Sequence, residues 1–219
     1  MTARLRRCFL CAAIFAGAPV AAAADADYFA VRALFWQRLY AGGGETLYCG
    51  ARFTGPARRF QMEHVFAMAW AARALDCGGR KACREKSARF RRVAGDLHNL
   101  YPALAEVNQA RAAMAFGMVP GERRILFRRC DFEVDAKARI VEPRLAARGK
   151  IARAVFYTAS RYGFPIFPRH LRVLQQWNRR HPPDAEERRR NNLIAQLQGA
   201  RNPFIDDPSL AGSLQRRLQ

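Results

Sequence analysis

Acidic residues are scarce in this chain: 18 Asp and Glu stand against 38 Lys and Arg, a formal net charge of +20 over 219 residues. Lysine is scarce as well, because 34 of the 38 basic residues are arginine. Such an excess requires a polyanionic partner or a tolerant environment. Arginine's planar fork suits phosphate, but codon bias would give the same enrichment, and an anionic membrane surface or lipopolysaccharide would satisfy the same charge. Internal repeats and long linkers are absent, which argues for one domain. Beyond the N-terminus no stretch stays apolar for the roughly 18 residues a membrane helix needs. Stable membrane insertion is therefore not expected.

The first residues have a different character. Arg4, Arg6 and Arg7 precede an apolar run from Cys8 to Val20, too short to span a bilayer, and Ala21 to Ala24 follow before Asp25. That order predicts a secretory signal peptide over residues 1–24, cut after Ala23 or Ala24. Bulky Leu10 ahead of Cys11 argues against a lipoprotein. Removing three arginines and no acid leaves +17 on residues 25–219, a length that supports one sizeable core. Export to the periplasm or beyond places Cys49, Cys77, Cys83 and Cys130 in an oxidising compartment, so two disulfides are expected. Cys77 and Cys83 bracket the short loop CGGRKAC and are natural partners, and Cys49 with Cys130 follows by exclusion. A zinc site is the competing reading, but none of the spacings is a two-to-four-residue hook.

The pattern predicts an α+β chain, a single mixed domain that is mostly helical. Asp27 can cap a helix carrying Val31, Leu34, Phe35 and Leu39, which Gly42 to Gly44 stop. ETLYCGARF (45–53) and RRFQMEHVF (58–66) read as two short strands. An Arg-rich and Gly-rich excursion over 73–92 precedes a helix expected from Pro102 to Ala115. Beyond Cys130 the pattern reads as helical. One long helix has Ile151, Val155, Ala159 and Tyr162 on a stripe and Gly163 at its end. A second runs near Leu171, Leu174 and Trp177, and a third runs from Asp184 to Gly199. A polar tail is expected after Pro208.

Hydrolysis of a phosphodiester needs a base to activate water, a Lewis acid to neutralise developing charge, and a cation to hold the phosphate. His64 beside Glu63 offers a neutral base next to a hard oxygen ligand, Asn108 offers a second neutral oxygen, and Arg80 sits in a glycine loop. Few protein ligands suit magnesium, which keeps several waters. Each residue also has a bland reading as a surface or core group, so spacing alone does not single them out. The remaining histidines are less eloquent: His98 could orient a neighbour, while His170 and His181 read as surface residues.

RRFQMEHV, CGGRKAC, DLHNLYPALAEVNQAR, EPRLAARGKIARAVFY, WNRRHPP and QGARNPFID occur in an order that resembles the bacterial endonuclease I family across most of the chain. The resemblance implies a periplasmic or secreted nuclease of the His-Me finger, or ββα-metal, class, in which two strands and a helix hold one divalent metal. It makes His64 the general base, Glu63 and Asn108 the protein ligands of Mg²⁺ or another divalent cation, and Arg80 the phosphate-holding cation. DNA, with RNA as a second substrate, would be bound through backbone phosphates and cut without sequence specificity by a monomer, leaving 5′-phosphates. His98, Glu106, Arg111, Glu142, Arg148 and Arg153 lie in matching motifs with supporting roles.

The chain departs from the family pattern in places. The family's EHVVPA is EHVFAM here, and Ala105 and Gln109 replace the glycines of GEVNG, which puts rate and loop geometry in question. Glu63 and His64 are adjacent, so they can share a site only if the strand ends or bulges there. Rival readings are a noncatalytic nucleic-acid-binding protein that kept the fold, or a cationic protein acting on bacterial envelopes.

Overall fold

The computed structural model describes residues 27–121, 127 and 129–214. The predicted signal peptide and residues 215–219 lie outside them. Asp27 caps the first turn as expected: its Oδ1 accepts from the N–H groups of Phe29 and Ala30 at 2.9 and 3.0 Å. The helical turns that follow widen into a π-helix over Leu34–Leu39. Phe35, Trp36 and Leu39 form its buried face and, with Val31 before it, pack into a cluster with Phe53, Phe60 and Leu100.

The expected strand over 45–53 survives only at its ends, where β1 (Gly44–Glu45) pairs with β2 (Arg52–Phe53). Between them Gly50 takes a φ of +67°, and the turn leaves Tyr48 buried. β3 (Phe60–His64) lies inside the second expected strand. The excursion over 73–92 is largely helical. α1 (Met68–Ala74) leads through Gly78 and Gly79, both at positive φ, into α2 (Arg80–Lys86). α3 (Ala88–Gly95) follows, capped by Ser87, whose hydroxyl accepts from the Phe90 N–H at 3.1 Å.

The helix expected from Pro102 begins later. β4 (Leu100–Leu104) pairs antiparallel with β3, Met62 opposite Pro102 and Glu63 opposite Tyr101, and only then does α4 (Ala105–Arg111) start. Proline is tolerated in this strand because its carbonyl accepts from the Leu47 N–H at 2.8 Å. The backbone polar side of Pro102 therefore faces away from β3, and its missing N–H costs no ladder bond. Buried Arg190 ties the start of β4 to the last long helix, donating to the carbonyls of Leu97 and Leu100 and lying 3.9 Å over the Tyr101 ring.

The segment after Cys130 is not helical at first. β5 (Ala115–Phe116), β6 (Phe132–Asp135) and β7 (Ile140–Pro143) form a small sheet in the order β5-β7-β6. Apolar–polar alternation in FEVD marks the first strand of this hairpin, and Arg139 takes a φ of +56° before β7. The three long helices then appear as expected: α5 (Leu145–Tyr162), α6 (Pro168–Arg180) and α7 (Ala185–Gln198). Gly163 and Gly199 close the first and third in the left-handed conformation, and Asp184 accepts from the Glu187 N–H at 2.7 Å. A short α8 (Pro203–Asp206) leads to a 3-10 helix over Pro208–Ser213. Ala211 and Leu214 are buried, so the expected polar tail is part of the core as far as Leu214.

A buried polar network accounts for several of the recurring sequence motifs. Arg153 of RGKIAR donates to Glu187 through Nε at 2.7 Å and Nη2 at 2.5 Å, to Asn178 Oδ1 at 3.0 Å and to the His181 carbonyl at 2.9 Å. Asn178 belongs to WNRRHPP. Asn202 of RNPF caps α8 and donates to the Arg153 carbonyl at 3.0 Å. Gly149 makes the approach possible, since a Cβ there would stand 2.2 Å from the His181 carbonyl oxygen. Arg148 pairs with Glu142 at 2.5 Å. No helix among the described residues is long and apolar enough to cross a membrane.

Candidate active site

β3, β4 and α4 create the site through two periodicities. Alternate residues of a strand share a face, so Gln61 and Glu63 point the same way. Residues three apart on a helix are neighbours, so Asn108 and Arg111 of α4 meet them. Asn108 Nδ2 donates to Gln61 Oε1 at 2.9 Å, and Arg111 Nη1 donates to Glu63 Oε1 at 3.2 Å. Arg111 also donates to the carbonyls of His64 at 3.1 Å and Val65 at 2.7 Å. Its guanidinium sits between the rings of Trp70 and Phe116, 4.9 and 4.6 Å from their centroids. One arginine thus holds the end of the strand.

His64 points to the other side of β3, towards α3. The strand ends there, and a cavity of about 530 Å³ wraps its end, lined by Glu63, His64, Arg80 and Asn108 together with Arg84 and Arg91. The geometric condition set by two adjacent residues is met by strand termination. The Asn99 side chain guides the chain onward: Oδ1 accepts from the Phe66 N–H at 2.7 Å, and Nδ2 donates to the Phe66 carbonyl at 3.1 Å. Ala67 occupies the family's proline position with a φ of −57°, close to the value proline imposes, so that departure leaves the backbone path intact. Ala105 and Gln109 lie in helical α4, where both are better formers than glycine.

The half-buried His64 has one committed nitrogen. Nε2 lies 2.8 Å from the Ala94 carbonyl oxygen, which can only accept, so this nitrogen carries the hydrogen and Nδ1 is left as the proton acceptor. Burial lowers the His64 pKa to about 4, outweighing the Ala94 bond, and the nearby Arg80, Arg111 and Arg84 add to the lowering. The ring is neutral at neutral pH. Burial raises the Glu63 carboxyl above its ordinary value, opposed by Arg111, Tyr48, the His64 N–H and Arg80. The Tyr48 hydroxyl donates to Glu63 Oε1 at 2.8 Å, and its own pKa is pushed well up by burial and then by Glu63, so it remains a donor.

Divalent cations of the magnesium type take oxygen ligands. Glu63 Oε1 is occupied by Tyr48 and Arg111, which leaves Oε2, and Asn108 spends its amide nitrogen on Gln61, which leaves Oδ1. Two hard oxygens lining a cavity with room for waters fit such an ion. No group of three or more His, Cys, Asp or Glu able to hold a metal occurs among the described residues.

Arg80 opens α2 rather than lying in a loop, and the Cys77–Cys83 disulfide ties the turn before it. Cys49–Cys130 is the second disulfide, so both expected pairings form. Sequence reasoning missed Tyr48 and Gln61. It also missed Tyr28, whose ring lies 5.2 Å from that of His64. Nothing local in those residues signals a site, because contacts between segments distant in sequence bring them to it. His98 is away from the cavity, buried with Nε2 on the Ala200 carbonyl at 2.9 Å and its ring on Tyr157 at 4.5 Å. His170, expected at the surface, is instead packed against Trp70 and Phe116, because α6 turns it inward.

These features define an α+β protein with a cationic cavity that combines a neutral imidazole, a buried carboxylate and guanidinium groups. The chain belongs to the Endonuclease I family, which its sequence matches over residues 37–209. It is 35% identical over 222 residues to an extracellular deoxyribonuclease of Aeromonas hydrophila, covering 90% of this chain and 95% of that one. It is also 35% identical over 194 residues to a periplasmic deoxyribonuclease of the same organism, covering 77% and 81%. An extracellular ribonuclease of Bacillus amyloliquefaciens is 33% identical over 144 residues, covering 54% of this chain and 46% of that protein.

Proposed function

We propose that this chain is an exported, metal-dependent endonuclease that hydrolyses DNA, and RNA as well, without sequence specificity, leaving 5′-phosphates. Residues 1–24 serve as its signal peptide, and it acts as a monomer on the ββα-metal plan formed by β3, β4 and α4. The observation that carries the reading is the His64 ring: Nε2 is held by the Ala94 carbonyl, so Nδ1 is the base in a cavity that Arg80 also lines. The family membership and the deoxyribonuclease and ribonuclease names of its relatives support the substrate class and export.

The cationic cavity draws in the phosphate backbone, and a second hollow beyond Tyr28, lined by Arg32 and Arg58, extends the basic path. Contacts of this kind read phosphate and leave base identity unread. Arg80 holds the scissile phosphate, and His64 Nδ1 takes a proton from the attacking water. Glu63 and Asn108 would hold the divalent cation, Mg²⁺ in the first instance, with Tyr48 and Arg111 fixing the carboxylate and Gln61 fixing the amide. When bound, the cation supplies charge neutralisation at the phosphate and the departing 3′ oxygen.

The test is His64→Ala in purified, oxidised protein with plasmid and RNA substrates, with Mg²⁺ or EDTA. A general base contributes about 10²- to 10⁴-fold, so the variant loses at least the lower factor while duplex affinity persists. Cleavage at the wild-type rate, or a wild-type protein that binds but never cuts, overturns the assignment.

A further inference from the structure

Behind the Trp70–Arg111 contact lies a further cavity, of about 540 Å³, for which the proposed cleavage has no use. Its walls include the rings of Phe66, Trp70, Phe116 and Phe167, and Phe167 is 73% exposed. Arg73, Arg139 and Arg169 also line it, all exposed, and no carboxylate is among the described residues that do so. The walls thus offer flat apolar surface for a ring and positive charge for an anion. A plain lipid or apolar peptide would use the rings and leave three guanidinium groups unanswered.

The ring of His170 stands among these walls. Its ring is 5.6 Å from Trp70, edge-on, and 6.3 Å from Phe116, and Nε2 is buried with no hydrogen-bond partner. A buried polar atom left unpaired is costly, and such atoms in native proteins call for an explanation. Burial, and then the Arg111 charge, lower the His170 pKa to about 4, so the ring is neutral at neutral pH and able to donate or accept.

We propose that this cavity is a nucleotide subsite: a base splayed out of the bound strand stacks on the aromatic walls beside His170, and its phosphate meets the arginines. The inference rests on the reading of the chain as a nucleic-acid-processing protein. Continuity supports a strand-borne nucleotide, because Ala113 lines both cavities and its carbonyl accepts from Trp70 Nε1 at 2.9 Å. A strand crossing Ala113 passes from one cavity to the other. Stacking on aromatic side chains accepts any base, so the subsite adds grip without adding sequence preference.

The test titrates ¹⁵N-labelled, oxidised protein in EDTA with dAMP, deoxyadenosine and deoxyribose 5-phosphate, following the His170 ring resonances, and measures affinity for a single-stranded deoxyadenosine decanucleotide. Expected results are a saturable His170 shift with dAMP, at least fivefold weaker binding of either fragment, and at least tenfold loss of dAMP affinity in Phe167→Ala/Arg169→Ala. The same double variant weakens decanucleotide binding at least threefold. Arg172→Ala, an equal charge change outside the cavity, does neither.

Unmoved His170 resonances, deoxyribose 5-phosphate binding as tightly as dAMP, or wild-type affinities in the double variant overturn the proposal. Loss of dAMP binding with an unchanged decanucleotide overturns the strand-borne nucleotide in favour of a free mononucleotide. Plasmid cleavage in Mg²⁺ is scored separately on the same preparations. A protein that binds dAMP at His170 but never cuts removes the nuclease reading alone, and one that cuts with no response at His170 removes the subsite alone.

Discussion

Arg111 Nη1 lies 3.2 Å from Glu63 Oε1, with both side chains almost closed to solvent. The arginine therefore balances the charge of the carboxylate that the proposed metal needs, and through the carbonyls of His64 and Val65 it also fixes where the strand ends. Removing one partner of a buried pair leaves the other uncompensated, at about 3 to 5 kcal/mol. Arg111→Ala is expected to lose that much in urea unfolding, and an unchanged midpoint would refute the pairing. Asn108→Ala, by contrast, should leave stability nearly intact and raise the half-maximal Mg²⁺ concentration for cleavage.

Acidification should weaken the fold over a defined window. His64, His98 and His170 each have a native pKa near 4 against an ordinary 6.5, because burial disfavours the cation. A histidine with a depressed native pKa contributes stability that is complete above pH 6.5 and is lost as pH falls towards 4. The slope is roughly 1.4 kcal/mol per pH unit for each imidazole. The raised pKa of Glu63 acts in the opposite sense, since the folded carboxyl takes up its proton first, and offsets part of the loss. Thermal unfolding from pH 7.5 to 4 should show the net decline. A stability flat across that range would contradict it.

With His64 as the proposed base, the same shift predicts where the acid limb of the rate falls. With its Nδ1 unprotonated down to about pH 4, His64 remains a competent base well below the range of an ordinary histidine. The acid limb of kcat/KM, measured within the pH range where far-UV circular dichroism is native, should lie nearer 4 than 6.5. A midpoint at 6.5 would assign the base to a histidine in ordinary solvent.

The two disulfides should behave differently. Cys49–Cys130 closes a separation of 81 residues and Cys77–Cys83 one of 6, which loop-closure entropy converts to about 4.5 and about 2 kcal/mol. Cys49→Ser/Cys130→Ser should lower the melting temperature most. Cys77→Ser/Cys83→Ser should lower the cleavage rate more than its stability loss implies, because that bond secures the turn from which Arg80 projects. Equal effects of the two variants on rate and on melting would count against this division.

Gly149→Ala probes the network around Arg153. The added methyl meets the His181 carbonyl oxygen at 2.2 Å and Arg153 Nη2 at 2.8 Å, so α5 must move away from the end of α6. Overpacking of this kind costs about 1 to 3 kcal/mol. Denaturant unfolding without any such loss would mean that the helices separate freely.

Where structure is governed by neighbours in sequence, it was readable in advance. The helices from Leu145 onwards are marked by apolar stripes and by Asp184, Gly163 and Gly199 at their ends, and each of these residues takes the capping geometry expected of it. The short spacing of Cys77 and Cys83 settled both pairings. β3 announced itself through FQMEH, but β4 did not, since Pro102 reads as a helix start and its suitability for a strand depends on Leu47 at its outer edge. β6 was within reach of the alternation in FEVD, and the hairpin it forms with β7 was missed beside the helical pattern that follows.

What the amino-acid sequence determined by itself is local: periodicity, caps, cysteine spacing, the basic surplus, and the family motifs that single out Glu63, His64, Arg80 and Asn108. Only the tertiary structure decided how they act together. Pairing of β3 with β4 sets α4 against the Gln61–Glu63 face, so Asn108 and Arg111 arrive from more than 40 residues away. The fall of α3 beside the strand end puts the Ala94 carbonyl on His64 Nε2 and thereby leaves Nδ1 as the nitrogen able to accept a proton. The same packing buries His170 and Arg111 on either side of Trp70 and Phe116. Hydrogen-bond direction and burial are properties of contacts between distant segments, and they exist only once the chain has closed on itself.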